Sequence, residues 1–173
     1  MPLFSLTRNM LRRDKSIQGS TAVEVALLAP VFFLILIGLV ELSLLFTAQQ
    51  LLENAAFNAS RLAKSGYAVA GETQAQLVTS LLDNELQSYG SMIDVTQVTT
   101  SAESYNSFNA INQAGQGISG FGSASQIVVY TVNYPWKLFT PMLGEIIGTW
   151  NSITHTWQVN LTSQIVVRNE PYD

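Results

Sequence analysis

Gly19-Ser20-Thr21-Ala22-Val23-Glu24 decides how this chain is read, because it stands directly before a long apolar run. A small residue precedes a glutamate by five positions, and no charged residue follows from Val25 to Val40. Arg8, Arg12, Arg13 and Lys15 lie on the N-terminal side. A carboxylate in an apolar helix costs about 2.5–3.5 kcal/mol at mid-bilayer and less near the interface. Glu24 therefore needs a reason for its place.

Working outward, Ala22 to Phe46 is charged only at Glu24 and Glu41. Such a helix spans roughly 37 Å, against about 30 Å of hydrocarbon. The two glutamates are roughly 25 Å apart along the axis, so each can sit near one interface. For Glu41 a second reading stays open, contact with another helix in an assembly. Pro30 removes one backbone hydrogen bond and crowds the carbonyl of Ala26, which membrane helices tolerate, often with a kink. The basic leader reads as a topology signal that keeps the N-terminus cytoplasmic and places the rest outside. The apolar run is too long for an ordinary cleaved signal peptide, and no clear Ala-x-Ala site follows it; an uncleaved signal anchor remains an alternative.

Helical character continues past the span. Gln49 to Lys64 lacks Pro and Gly. Leu51, Leu52, Ala55, Ala56, Ala59, Leu62 and Ala63 form a stripe at helical spacing. Arg61 and Lys64 suit the C-terminal end of the dipole, and Gly66 is the expected stop. The spacing predicts one helix from Ser20 to about Ser65, close to 70 Å long.

The remainder predicts an α+β outer domain over 66–173, with a second helix and a small antiparallel sheet. Glu72–Tyr89 reads as an amphipathic helix with Ala75, Val78, Leu81, Leu82 and Leu86 on one face and Gly90 as its stop. Ile93–Thr100 reads as a short strand. Residues 101–125 read as a flexible loop, rich in Ser, Asn, Gln and Gly, with a turn of helix near Tyr105–Asn112. Ile127–Tyr134 and Trp157–Val167 read as strands, the latter with the alternation of a half-buried antiparallel strand. Between them lies an apolar connector from Pro135 to Trp150. It either completes the core over one sheet face or forms a subunit interface through Trp136, Leu138, Phe139, Met142, Leu143, Ile146, Ile147 and Trp150.

Composition limits the function. From Ser20 onward four basic residues face eleven acidic ones, which argues against nucleic-acid binding. The chain has no cysteine, so disulfides and thiolate metal sites are excluded. His155 is the single histidine, without the acidic partners of a metal site or triad. Gly115-x-Gly117-x-x-Gly120 has dinucleotide spacing but no apolar strand before it, and reads as loop composition. The expectation is a non-enzyme with no catalytic residues, cofactor or metal.

These residues together resemble the TadE-like minor pseudopilins of tight-adherence (Tad/Flp) type IV pilus systems. The resemblance rests on Gly19-Ser-Thr-Ala-Val-Glu-Val-Ala-Leu-Leu-Ala-Pro, then on Leu39-Val-Glu-Leu and Gln50-Leu-Leu-Glu-Asn-Ala-Ala. It returns in Tyr134-Pro, Thr140-Pro-Met-Leu-Gly and Arg168-Asn-Glu. It implies a pilin-like subunit of the inner membrane, single-pass, with its C-terminal domain periplasmic or extracellular. Residues 1–19 would be a leader cut by a prepilin peptidase between Gly19 and Ser20. Glu24 would then recognise the free N-terminus of a neighbouring subunit, with Pro30 and Glu41 as further helix-contact positions and Pro30 marking a segment that loosens on filament packing. The implied partners are the peptidase, the major Flp pilin, a sister minor pseudopilin, the inner-membrane assembly platform with its ATPase, and membrane lipid. The implied role is pilus assembly and surface adherence. The alternative is an uncleaved, signal-anchored extracytoplasmic protein that binds a ligand or surface.

Overall fold

The computed structural model describes residues 14–65 and 73–171, and at 14–20 and Asn112 the backbone alone. The leader before Asp14 and the expected helix stop at Gly66 lie outside the described residues. Helix α1 covers Asp14–Lys64 and contains Pro30. It begins earlier than the expected Ser20 and continues through the proline. The chain divides into two compact units, Met1–Glu41 and Leu42–Asp173.

In the first unit, side chains from Thr21 to Val40 are exposed all round, apart from half-buried Ala29 and buried Gly38. Leu27, Val31, Phe33 and Ile37 are each more than half exposed. An apolar surface on every side suits lipid rather than water. Among the described residues this is one helix long and apolar enough to cross a membrane.

The second unit is two-layered. Strands β1 (Thr99–Tyr105), β2 (Ile118–Ser119), β3 (Ile127–Lys137), β4 (Thr149–Asn151) and β5 (Thr156–Arg168) form one sheet in the order β2-β1-β3-β5-β4. Every neighbouring pair is antiparallel. Period-two alternation turns Val128, Tyr130, Val132, Tyr134 and Trp136 of β3 to one face, where all are buried. Their register partners on β5 are Val167, Ile165, Ser163, Leu161 and Val159. The opposite face is polar, with Thr162 Oγ1 donating to Asn133 Oδ1 at 2.8 Å.

Onto the apolar face pack the last part of α1 and helix α2 (Gln74–Ser88). Ala48, Leu52, Ala55, Ala56, Ala59 and Ala63 of α1 are all within 3% of full burial. The alanines let the helix backbone approach aromatic residues such as Tyr134 and Trp136 closely, while Leu52 fills the remaining space. Helix α2 starts in a capping box: Gln76 N donates to Thr73 Oγ1 (3.3 Å) and Thr73 N donates to Gln76 Oε1 (2.9 Å). Asn58 Nδ2 donates to Glu85 Oε1 at 2.8 Å and ties α1 to α2. The buried face of α2 is Leu77, Val78, Leu82 and Leu86. Ala75, expected on that face, is exposed and Leu81 is half-buried. Gly90 takes a φ of +88° after the helix, as a stop should.

Two expectations are corrected, and one segment gains an element. Residues 93–98 are not a strand. Asp94 caps a 3-10 turn over Val95–Gln97, and β1 begins only at Thr99. One carboxylate oxygen accepts from Thr96 Oγ1 (2.6 Å) and Thr96 N (3.1 Å), the other from Gln97 Nε2 (2.7 Å). These local bonds outcompete the β preference of Ile93, Val95 and Val98. Residues 101–125 are not one loop. β1 occupies their start, a 3-10 turn covers Phe108–Asn112, and β2 closes a short pairing with β1. The apolar connector holds a helix, α3 (Pro141–Ile147), with Pro141 in its first turn and Gly148 at its end.

Gly144 of α3 faces Trp157 so closely that a Cβ there would overlap the indole Cγ. Gly144→Ala is therefore expected to push α3 off the sheet, seen as a changed tryptophan emission and near-UV spectrum with the far-UV spectrum retained. Leu52→Ala is expected to cost about 2–5 kcal/mol of stability, while Phe57→Ala, at an exposed site, costs far less. Urea unfolding in mild detergent, followed by tryptophan emission, checks both. Hydrogen bonds from the Thr96 side chain, the Gln97 side chain and the Thr96 N–H hold the Asp94 carboxyl below its ordinary 3.8. Its stabilising effect is present above that ordinary value and lost as pH falls through the lowered one. Asp94→Asn is accordingly expected to be less stable than the parent near pH 6, with the gap closing toward about pH 2 in thermal melts.

Candidate assembly surfaces

Two surfaces carry the residues singled out in the sequence. The first is the N-terminal half of α1. Gly19 and Ser20 lie within the helical backbone. Glu24 and Pro30 are exposed on the apolar helix. Glu41 differs from both. It is only 2% exposed, on the same helix face as Leu45 and Ala48, so its side chain is already covered within this chain. The face offered outward is made instead by large apolar side chains around Glu24, including Val23, Leu27, Leu28 and Val31.

The second surface is the Pro135–Trp150 segment, which the structure splits. Trp136 and Leu138 are buried in the core, and Leu138 N extends the strand pairing by donating to Trp157 O at 2.9 Å. Leu143 is half-buried. Phe139, Met142, Ile146, Ile147 and Trp150 remain exposed, Phe139 and Ile146 by about 70%. So the connector is divided between core and surface. It completes the core through its first part and α3's inner face, and leaves an apolar outer face.

The turn joining β4 to β5 adds a residue that sequence reading missed. Ile153 is 88% exposed at its tip. The turn is well held: Asn151 Oδ1 accepts from Ile153 N (2.9 Å) and Thr154 N (3.2 Å). Asn151 Nδ2 donates to Gln158 Oε1 at 3.1 Å across the hairpin. His155 adopts a φ of +52° there and packs edge-on to Trp150, whose ring also meets Trp157 at 5.4 Å. The available signal was a lone isoleucine in the polar run Asn151-Ser152-Ile153-Thr154-His155. Among the described residues, no group of three or more His, Asp and Glu side chains forms a candidate metal site. Gly115 and Gly117 lie between a 3-10 turn and β2, and Gly120 directly follows β2, without a helix after them to complete a dinucleotide loop.

No curated protein matches the chain. No solved structure matches it either. A family model described as TadE-like protein matches residues 19–61, which bears out the resemblance read from Gly19 to Pro30 and from Leu39 to Ala56. The resemblances at Tyr134–Pro135, Thr140–Gly144 and Arg168–Glu170 lie beyond that match. Residues 19–61 are thus similar to TadE-like proteins, a match over the N-terminal part of the chain that supports an association with the Tad pilus machinery.

Proposed function

We propose that this chain is a minor pilin-like subunit of a Tad/Flp-type pilus assembly system, processed after Gly19 and acting by helix-to-helix docking. The observation that carries this reading is the coincidence of the TadE-like match with a helix apolar on all sides and headed by Glu24. The role belongs to pilus initiation, tip or base assembly, and so to surface adherence. The chain is a substrate of the prepilin peptidase and performs no catalysis of its own. Its docking partners are the major Flp pilin, a sister minor pseudopilin and the inner-membrane platform with its ATPase. The N-terminus faces the cytoplasm and the α+β head the periplasm or exterior, as the basic leader favours.

The chemistry of this role is specific. Cutting between Gly19 and Ser20 frees an α-amino group with a reference pKa near 8, largely charged at neutral pH. An ammonium and a carboxylate are each costly in an apolar setting and tolerable as a pair. Glu24 of one subunit receives the new N-terminus of its neighbour and so sets the register of the two helices. The scissile bond lies in the helical stretch Asp14–Lys64, so the peptidase must open a turn locally. Glycine at position 19 eases this, since its helix propensity is about 1 kcal/mol worse than alanine's.

The deciding measurement is the N-terminal residue of the membrane-extracted protein with and without the peptidase. Ser20 with the enzyme and Met1 without it is the expected result. An intact N-terminus in both cases would leave a signal-anchored head and defeat the pilin reading. Glu24→Ala is expected to insert and be processed normally while pilus formation is lost. Normal pili from that variant would remove Glu24 from assembly.

A further inference from the structure

The exposed apolar residues of α3, β4 and the β4–β5 turn occupy one particular end of the outer unit. Strand β5 runs in the same direction as α1. Gln49 Nε2 donates to Thr162 O at 3.1 Å, and toward the far end Glu170 N donates to Lys64 O at 2.9 Å. The start of β5 therefore lies toward Leu42, where the chain enters this unit. Leu44 and Leu45 agree, since they pack in the same cluster as Trp136, Leu138 and Trp157. From Thr162 back to Thr156 the strand covers roughly 20 Å at about 3.3 Å per residue. The helix between Gln49 and Leu42 covers only roughly 10 Å. The β4–β5 turn thus lies at the Leu42 end of this unit. Phe46, on α1 at that same end, is also exposed, by 64%.

We propose that this tip is a second membrane contact, in which Phe139, Ile146, Trp150 and Ile153 enter the headgroup–acyl boundary of the bilayer that α1 crosses. The inference rests on the membrane-span reading of α1 and adds a partner, lipid, for the head itself. The residue types suit that occupant. Tryptophan and phenylalanine favour the membrane interface, and exposed aliphatic side chains bury there to a depth of about 5–10 Å. The rim offers little to a strongly charged protein partner, because its exposed Lys137 stands among exposed Asp94 and Glu145 and the net charge is small. An isoleucine at 88% exposure on a turn held by Asn151 is a preformed wedge, so entering lipid requires little ordering of the turn. Phe46, exposed at the same end of this unit, adds to the patch.

The absence of native cysteine makes the test direct. The full chain is reconstituted into phosphatidylcholine vesicles, with and without phosphatidylglycerol. It carries a single environment-sensitive label at Ile153→Cys, at Gln116→Cys near the other end of the head, or at Val31→Cys within the apolar run. The expected result at position 153 is a blue-shifted label, quenched by doxyl lipid and shielded from iodide. This should be equal in both lipid mixtures and independent of protein density. Position 116 should show the reverse. Open access of iodide to position 153 would overturn the proposal. Shielding that grows with protein density without lipid quenching would also overturn it, and would assign the tip to a second copy. Lipid quenching at position 31 but not at 153 defeats the tip contact and leaves the span intact. Its absence at position 31 defeats both.

Discussion

One helix has to satisfy two environments, and the rest of the molecule follows from how it does so. Up to Val40, α1 exposes large aliphatic and aromatic side chains in every direction. From Ala48 onward only one stripe is apolar and fully covered, and that stripe is mostly alanine. An alanine stripe contributes little area of its own. Its value is the close approach it allows, which lets Tyr134, Trp136 and Leu161 of the sheet supply the bulk from the other side. The head is thus built around a helix that would be a poor core element without its sheet, and the sheet would be open on its apolar face without that helix and α2.

The two-layer head explains where surface apolarity accumulates. A single sheet with helices on one face leaves the other to solvent, and here that face carries Thr131, Asn133, Asn160, Thr162 and Gln164. The exposed Phe139, Ile146, Trp150 and Ile153 are elsewhere, at the end of the head where the chain enters from its apolar span. Their location matters more than their number. The same side chains on the polar sheet face would point to a protein partner, whereas at the Leu42 end of the unit they suit the lipid contact proposed above.

Much of this was legible from residue patterns. The span, its continuation to Lys64, helix α2 and the strands around Ile127–Tyr134 and Trp157–Val167 all announce themselves through 3.6- or two-residue periodicity over long stretches. The failures were short elements. Ile93–Val98 has β-branched composition, yet Asp94 turns it into a capped turn, because three donors lie within reach of one carboxylate. Helix α3 carries a Thr-Pro start and a Gly end, but its seven residues are too few for periodicity to show. Gly144 looks like a helix breaker in the sequence and proves to be the place where Trp157 rests.

The sequence by itself determined that the chain has an apolar helix headed by Glu24, an acidic α+β head without cysteine, and a TadE-like start. These are matters of composition and local spacing, which need no knowledge of what packs on what. Only the tertiary structure decided which members of an apolar segment are core and which are surface. Trp136 and Phe139 are near neighbours in the chain with similar hydrophobicity, and one is 6% exposed while the other is 73%. Glu41 resembles Glu24 as a carboxylate set in an apolar stretch of sequence, yet it is covered and Glu24 is exposed. Burial depends on the register of β3 with β5 and on the direction in which β5 runs along α1. Both are set by contacts between residues far apart in the chain, so no local pattern could have reported them.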